Sequence, residues 1–263
     1  MAQLTMSEKR HDGRGHADLR PVTMEPNFHK MAEGSVLYRS GNTVVLCTAS
    51  IDNKVPPFLE GKGQGWLTAE YQMHPRSNPV RRESRDGRGK APSGRTQEIQ
   101  RLIGRALRAA VRLDALGERT LAIDCDVLEA DGGTRTASVT GGFVAAALAL
   151  SKLLAKGSIK PGILREPVAA TSVGLSSAGS ILLDLPYIED KDAEVDLNVV
   201  ATESGLLIEL QGTAEGAPVP RATIDRMIDL ALIGVTNLTS LQKRVLAAEG
   251  VPSHLFASTT TTL

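Results

Sequence analysis

The sequence predicts an α+β fold built from a duplicated strand-hairpin/helix unit. Three observations carry that reading. Residues 35–46 and 195–211 each read as a β-hairpin. Each hairpin is followed later by a helix with one apolar face, over residues 99–111 and about 223–238. Between the halves lies an alternating strand, a glycine-rich loop and a long small-residue-rich helical run. Hairpin strands followed by a helix, twice over, are the pattern of an internal duplication. A chain of 263 residues has the length for one large domain or two small ones. We read residues 1–250 as a single domain and 251–263 as a flexible Ser/Thr-rich tail.

The elements follow in order. Val36, Leu37 and Tyr38 lead into a turn at Ser40-Gly41-Asn42, and residues 43–48 return. Residues 54–65 are a Pro/Gly-rich loop, and Trp66 to Tyr71 a short strand. Residues 75–94 are polar throughout and carry Arg76, Arg81, Arg82, Arg85, Arg88 and Lys90, opposed only by Glu83 and Asp86. Ile99, Leu102, Ile103, Ala106, Ala110 and Val111 then recur at helical spacing. Arg101, Arg105, Arg108 and Arg112 form a basic stripe opposite them. That stripe is either a solvated face or a contact surface for RNA or another subunit. Residues 168–175 and 180–185 read as strands. A turn at Glu203-Ser204-Gly205 closes the second hairpin, and Ile224, Met227, Ile228, Ala231, Leu232 and Val235 mark the last helix.

Composition excludes several classes of function. Net charge is zero, so any polyanion site must be a local patch. Aromatic residues make up 3 %, too few for base stacking to be the main grip on a nucleic acid. Cys47 and Cys125 lie in apolar alternating runs and read as small buried residues of a reducing compartment. No apolar signal core and no membrane-length apolar run are evident, so a cytoplasmic protein without a membrane partner is expected.

Two constellations point to chemistry. Asp131-Gly132-Gly133-Thr134-Arg135-Thr136 stands between a strand and a helix. The first turn of a helix offers unpartnered N–H groups and the positive end of its dipole. Glycines let backbone approach a ligand, and arginine adds a planar donor fork, so the loop suits an anion such as phosphate. The alternative is a tight turn whose arginine pairs with a carboxylate. The second constellation packs five acids into residues 189–196. Such a run is usually a solvated loop, but Asp196 opens the apolar strand Val195-Leu197-Val199, where an acid needs a partner. Asp190 and Asp196 could meet across a bend and hold one divalent cation of the Mg²⁺ type together with substrate phosphates. Together these features point to chemistry on a phosphodiester.

The quoted residues resemble the ribonuclease PH family. The likeness runs through Asp12-Gly13-Arg14 and Arg20-Pro21-Val22, then Glu33-Gly34-Ser35-Val36-Leu37 and Val45-Leu46-Cys47-Thr48-Ala49-Ser50. It continues through Gly63-Gln64-Gly65-Trp66-Leu67-Thr68-Ala69-Glu70-Tyr71 and Gly94-Arg95-Thr96-Gln97-Glu98-Ile99-Gln100-Arg101-Leu102-Ile103. It ends with residues 128–138 and Asp196-Leu197-Asn198-Val199-Val200. The resemblance implies the α+β fold of ribosomal protein S5 domain 2, shared with polynucleotide phosphorylase and the exosome ring. It implies a phosphate-dependent 3′–5′ exoribonuclease, also a tRNA nucleotidyltransferase, that trims single-stranded 3′ ends of tRNA precursors. The implied assembly is a homohexamer, a trimer of dimers. Inorganic phosphate, the co-substrate, would be held by Arg95, Gly133, Thr134 and Arg135. Asp190 and Asp196 would be the catalytic acids, with Asp192 a decoy. RNA would be bound by Arg76, Arg81, Arg82, Arg85 and Arg88. The acids would stabilise the departing ribose oxygen through Mg²⁺ or by giving it a proton. Two other classes stay open beside this one: a catalytically silent RNA-binding ring subunit, and a nucleotide-binding enzyme using the glycine loop for a triphosphate.

Overall fold

A computed structural model of the chain describes residues 10–80, 82 and 91–258. The expectations for Arg81, Arg85 and Arg88 lie outside the described residues. The first sheet contains β1 (Val22–Pro26), β2 (Gly34–Ser40), β3 (Thr43–Asp52), β4 (Trp66–Met73) and β5 (Thr120–Glu129). Its order is β1-β2-β3-β5-β4, antiparallel except for the parallel pair β4 and β5. A parallel pair needs a crossover, and α1 (Gly94–Ala110) with the single turn α2 (Leu113–Leu116) supplies it. After β5 comes α3 (Thr134–Ala155). The second sheet holds β6 (Val168–Leu175), β7 (Ile181–Leu183), β8 (Val195–Thr202) and β9 (Leu207–Ala214), in the order β7-β6-β8-β9 and wholly antiparallel. One helical turn, α4 (Tyr187–Asp190), links β7 to β8, and α5 (Arg221–Ala248) closes the fold. The two halves therefore share hairpin and helix but not topology.

The core helix α3 contacts β2, β3 and β5 on one side and β6 on the other. Its residues 136–150 are all buried. In length and composition α3 does match a membrane-crossing helix, which corrects the expectation from sequence. Its apolar surface is spent inside the fold. Small residues allow that: Gly141 lies against Cys47, Tyr38 and Val36, and Gly142 against Ile123 and Leu107. Gly34 is tighter still, because a Cβ there would sit 2.0 Å from the Ala145 carbonyl oxygen. Cys47 and Cys125 face each other across β3 and β5, both buried and free.

Three boundaries differ from the sequence reading. The edge strand β1 was not foreseen, since only Met24 of its five residues is buried and it ends in proline. The last helix runs ten residues past Leu238, because Gln242 continues the inward stripe as a buried polar residue. Its amide nitrogen donates to the carbonyls of Thr140 (3.0 Å) and Val168 (2.9 Å). The chain beyond Gly250 is not free as expected. Leu255 is fully buried, Leu164 N donates to Leu255 O at 3.1 Å, and Ala257 N returns to Leu164 O at 2.6 Å. Residues 259–263 lie outside the described residues.

The basic stripe on α1 is largely consumed internally. Arg105 pairs with Glu209, Arg108 lies over the Trp66 ring at 4.9 Å, and Arg112 meets Asp114 at 3.3 Å. Internal partners, an outcome neither reading named, take up three of its four arginines. Substituting Gly34→Ala forces β2 away from α3 and should cost about 3 kcal/mol. A urea melt checks this: the midpoint should fall with the slope unchanged.

Candidate active site

The glycine-rich loop forms the N-terminus of α3 as expected. Gly133 is the cap residue in the left-handed conformation (φ 68°) and offers no side chain to the first turn. No side chain therefore caps the first-turn N–H groups, which stand at the positive end of the helix dipole. The loop is fixed from below. Thr43 Oγ1 donates to Gly132 O at 2.7 Å and accepts from Asp131 N at 3.0 Å. Tyr71 on β4 meets Thr134 Oγ1 at 2.8 Å.

Beneath the loop is a buried ion pair absent from the sequence reading. Asp184, just after β7, accepts from Arg20 N (2.8 Å), Nε (3.0 Å) and Nη2 (2.7 Å). Arg20 Nη1 then donates to Asp131 O at 2.6 Å. Both partners are about 5 % exposed. Burial pushes the Asp184 carboxyl up, but the hydrogen bonds and charge of Arg20, helped by Arg14, outweigh that and hold it below its usual value. Arg10 and Arg14 also donate to the Asp184 carbonyl, at 3.0 and 3.2 Å. The segment after Asp184 lies directly on the loop, where a Cβ on Gly132 would meet Leu185 O at 2.6 Å and Tyr187 N at 2.8 Å. One helical turn later this segment presents Asp190.

Four expected site residues converge. Crowding by protein around Asp190, then the charge of Asp196, push the Asp190 carboxyl above the usual range, while Arg135, Arg95 and Arg20 pull it down. All of those groups are thus electrostatic neighbours of Asp190. Arg95 is exposed in the first turn of α1, whose cap Ser93 accepts from Thr96 N at 3.1 Å. Arg135 is held by Gln211 Oε1 at 3.2 Å and faces Glu98 at 3.6 Å. Asp196 on β8 lines a cleft of about 410 Å³ with Glu98, Arg135, Asn198, Gln211 and Thr213. Asp192 is exposed and paired with Lys191 at 3.7 Å. Arg76 and Arg82 are exposed. Glu98, Gln211 and the Arg20–Asp184 pair were missed as site residues. Glu98 and Arg20 sit inside motifs quoted above, but nothing in the order of residues links Arg20 to Asp184.

A larger cleft, about 670 Å³, lies elsewhere on the first sheet and includes Glu70, Asp124 and Asp126. Burial pushes all three carboxyls up, and Asp124 adds to this at Glu70, as Asp126 does at Asp124. An anionic lining repels phosphate and RNA backbone, so size does not identify the site here.

Residues 18–153 match the model of the 3′ exoribonuclease family, domain 1, and residues 166–234 match domain 2. The chain belongs to the 3′ exoribonuclease family. Within it, Ribonuclease PH of Bacillus subtilis (strain 168) is 54 % identical over 237 residues, covering 90 % of this chain and 96 % of that protein. Ribonuclease PH of Bacillus velezensis is 53 % identical with the same coverage. In solved structures, rice Rrp46 has the same fold, with a TM-score of 0.73 at 17 % identity over 90 % of this chain and all of that one. The Archaeoglobus fulgidus exosome with RNA bound to the active site gives 0.73 at 20 % identity, over 89 % and 92 %.

Replacing Asp184 with Asn leaves Arg20 buried without its anion and should cost about 3–5 kcal/mol. The lowered folded-state pKa fixes the pH dependence. The pair's stabilisation is complete above the ordinary value of 3.8 and is lost as pH falls through the lower folded value. Thermal melts across that window should show a wild-type acid-side loss that Asp184→Asn lacks.

Proposed function

We propose that this chain is a phosphate-dependent 3′–5′ exoribonuclease, a tRNA nucleotidyltransferase that shortens RNA from its 3′ end and releases nucleoside 5′-diphosphates. The observation that carries this reading is that Asp190 has Asp196, Arg135 and Arg95 as electrostatic neighbours, that Arg135 and Asp196 line one cleft, and that Arg135 stands in the uncapped first turn of α3. The 54 % identity to Ribonuclease PH supports it. Two anions must approach each other in this reaction, so preorganised positive charge is the first requirement. Arg95 and Arg135 with the backbone of Gly133 and Thr134 hold inorganic phosphate, whose oxygen attacks the last phosphodiester. The new bond is a pyrophosphate link, the broken one joins phosphorus to the ribose 3′ oxygen, and that oxygen leaves as a hydroxyl after gaining a proton. The exchange of one phosphoanhydride for one phosphodiester makes the reaction reversible.

Asp190 and Asp196 serve the departing oxygen. Their donor set, two carboxylates beside a phosphate site, fits Mg²⁺, which takes one or two carboxylates and completes its shell with phosphates and water. When bound there, the ion would supply positive charge beside that oxygen. Arg76 and Arg82, with Arg81, Arg85 and Arg88, hold the RNA body away from the reacting centre, on substrates such as tRNA precursors. The assembly is a homohexamer acting in the cytoplasm. A silent ring subunit is disfavoured by the presence of both acids and both arginines. A triphosphate site is disfavoured by the lack of a loop lysine.

Incubation with RNA bearing a free 3′ end, Mg²⁺ and phosphate should release nucleoside diphosphates in proportion to phosphate. Monophosphates formed equally well without phosphate would show a hydrolase instead. Asp196→Asn should lower kcat by about 10² or more, whereas Asp192→Asn, at an exposed site, should change it little. The reverse order would overturn the choice of acids.

Arg135→Ala should cut kcat/KM on every RNA. An Arg81/Arg82/Arg85 triple alanine variant should raise KM for a long structured RNA and flatten its salt dependence, with less effect on a short oligonucleotide. Equal failure on both lengths would place the loop at the reacting centre.

A further inference from the structure

The floor of the active-site cleft carries hydrogen-bonding groups that the proposed chemistry does not use. In the β8–β9 register Asp196 stands opposite Thr213, and Asn198 opposite Gln211. Side chains two apart on a strand share a face, so these four form two successive rungs, with Val195, Leu197 and Val199 buried behind them. Gln211 is committed at both ends: its Oε1 accepts from Arg135, and its Nε2 donates to Glu209 at 2.9 Å. Asn198 and Thr213 make no side-chain hydrogen bond among the described residues. Asn198 is half-buried and Thr213 exposed, and both line the cleft.

The chemistry of this pair narrows what it can recognise. Amide and hydroxyl are neutral and act as both donor and acceptor, so they suit a hydroxyl better than a phosphate, which the arginines serve. Among the described residues no aromatic side chain lines the cleft, so the pair does not frame a stacking platform for a base. Diagonal neighbours across an antiparallel pair lie about 7–8 Å apart, so one hydroxyl placed between Asn198 and Thr213 is in reach of both. Asp196, assigned above to the departing 3′ oxygen, is Thr213's cross-strand partner and shares Asn198's face. The 2′-hydroxyl sits on the adjacent carbon of that same ribose, and it is the group that distinguishes RNA from DNA.

We infer that Asn198 and Thr213 bind the 2′-hydroxyl of the ribose whose 3′ oxygen departs, and that this subsite makes the enzyme selective for RNA. The inference rests on the phosphorolytic reading above. The test compares kcat/KM for an all-ribose oligonucleotide and for the same oligonucleotide with a 2′-deoxy penultimate nucleotide. The proteins are the wild type, Asn198→Ala, Thr213→Val and the double variant. Any intrinsic effect of the missing hydroxyl on the leaving oxygen is common to all four proteins and cancels in the ratio. The expected result is a wild-type preference for ribose that falls about three- to tenfold in each single variant, the size of one net hydrogen bond. Residual turnover of the deoxy substrate shows that a variant is folded. A preference that survives in the double variant, or losses equal on both substrates, overturns the subsite alone. No phosphate-dependent shortening by the wild type overturns the functional reading and this inference together.

Discussion

A buried guanidinium needs an anion, and Asp184 supplies it to Arg20 through three hydrogen bonds. The rest of the site hangs on that pair. Arg20 Nη1 is not used by Asp184, and it donates to the Asp131 carbonyl at the start of the glycine-rich loop. Asp184 begins the segment that ends in Asp190. The same ion pair therefore fixes both the loop and the strap of backbone that carries the acid. Asp184 adopts a positive φ of 53°, a strain that a non-glycine residue sustains only where surrounding contacts hold it. Arg10 and Arg14, donating to its carbonyl, are those contacts.

Gly132 converts this clamp into close approach. With no Cβ, the loop rests on the backbone of residues 185–187, so the helix N-terminus and the acid-bearing turn are pressed together. Phosphate binding and leaving-group chemistry need that closeness, yet the carboxylates and the phosphate repel. In the proposed reaction Arg95 and Arg135 would offset that repulsion, and both pull the Asp190 carboxyl down while burial and Asp196 push it up. Glu98 and Gln211 keep the Arg135 fork oriented toward the cleft.

The two sheets could not deliver these groups to one place without α3. Its small residues let β2 and β3 approach on one side and β6 on the other, so loop and acids, carried by opposite halves of the chain, meet at its N-terminal end. The buried Gln242 ties α5 to α3 and β6 through two carbonyls, which closes the second half against the same helix.

Local pattern alone determined much of this protein. Local pattern located β2 to β9 and the helices α1, α3 and α5, which carry apolar residues in alternating, helical or continuous runs. The strand–loop–helix order around residues 131–136 was also legible, since strand, glycines, arginine and helix are adjacent in the chain. The choice of Asp196 followed from an acid placed in an apolar strand. What lay beyond reach was everything decided by contact across long separations. Arg20 and Asp184 are 164 residues apart, and each alone reads as an ordinary surface charge. The edge strand β1 and the buried tail around Leu255 carry too few apolar residues to announce themselves, and are ordered by their neighbours. The fate of the α1 arginines was likewise settled by Glu209 and Trp66, partners that only the folded chain brings within reach.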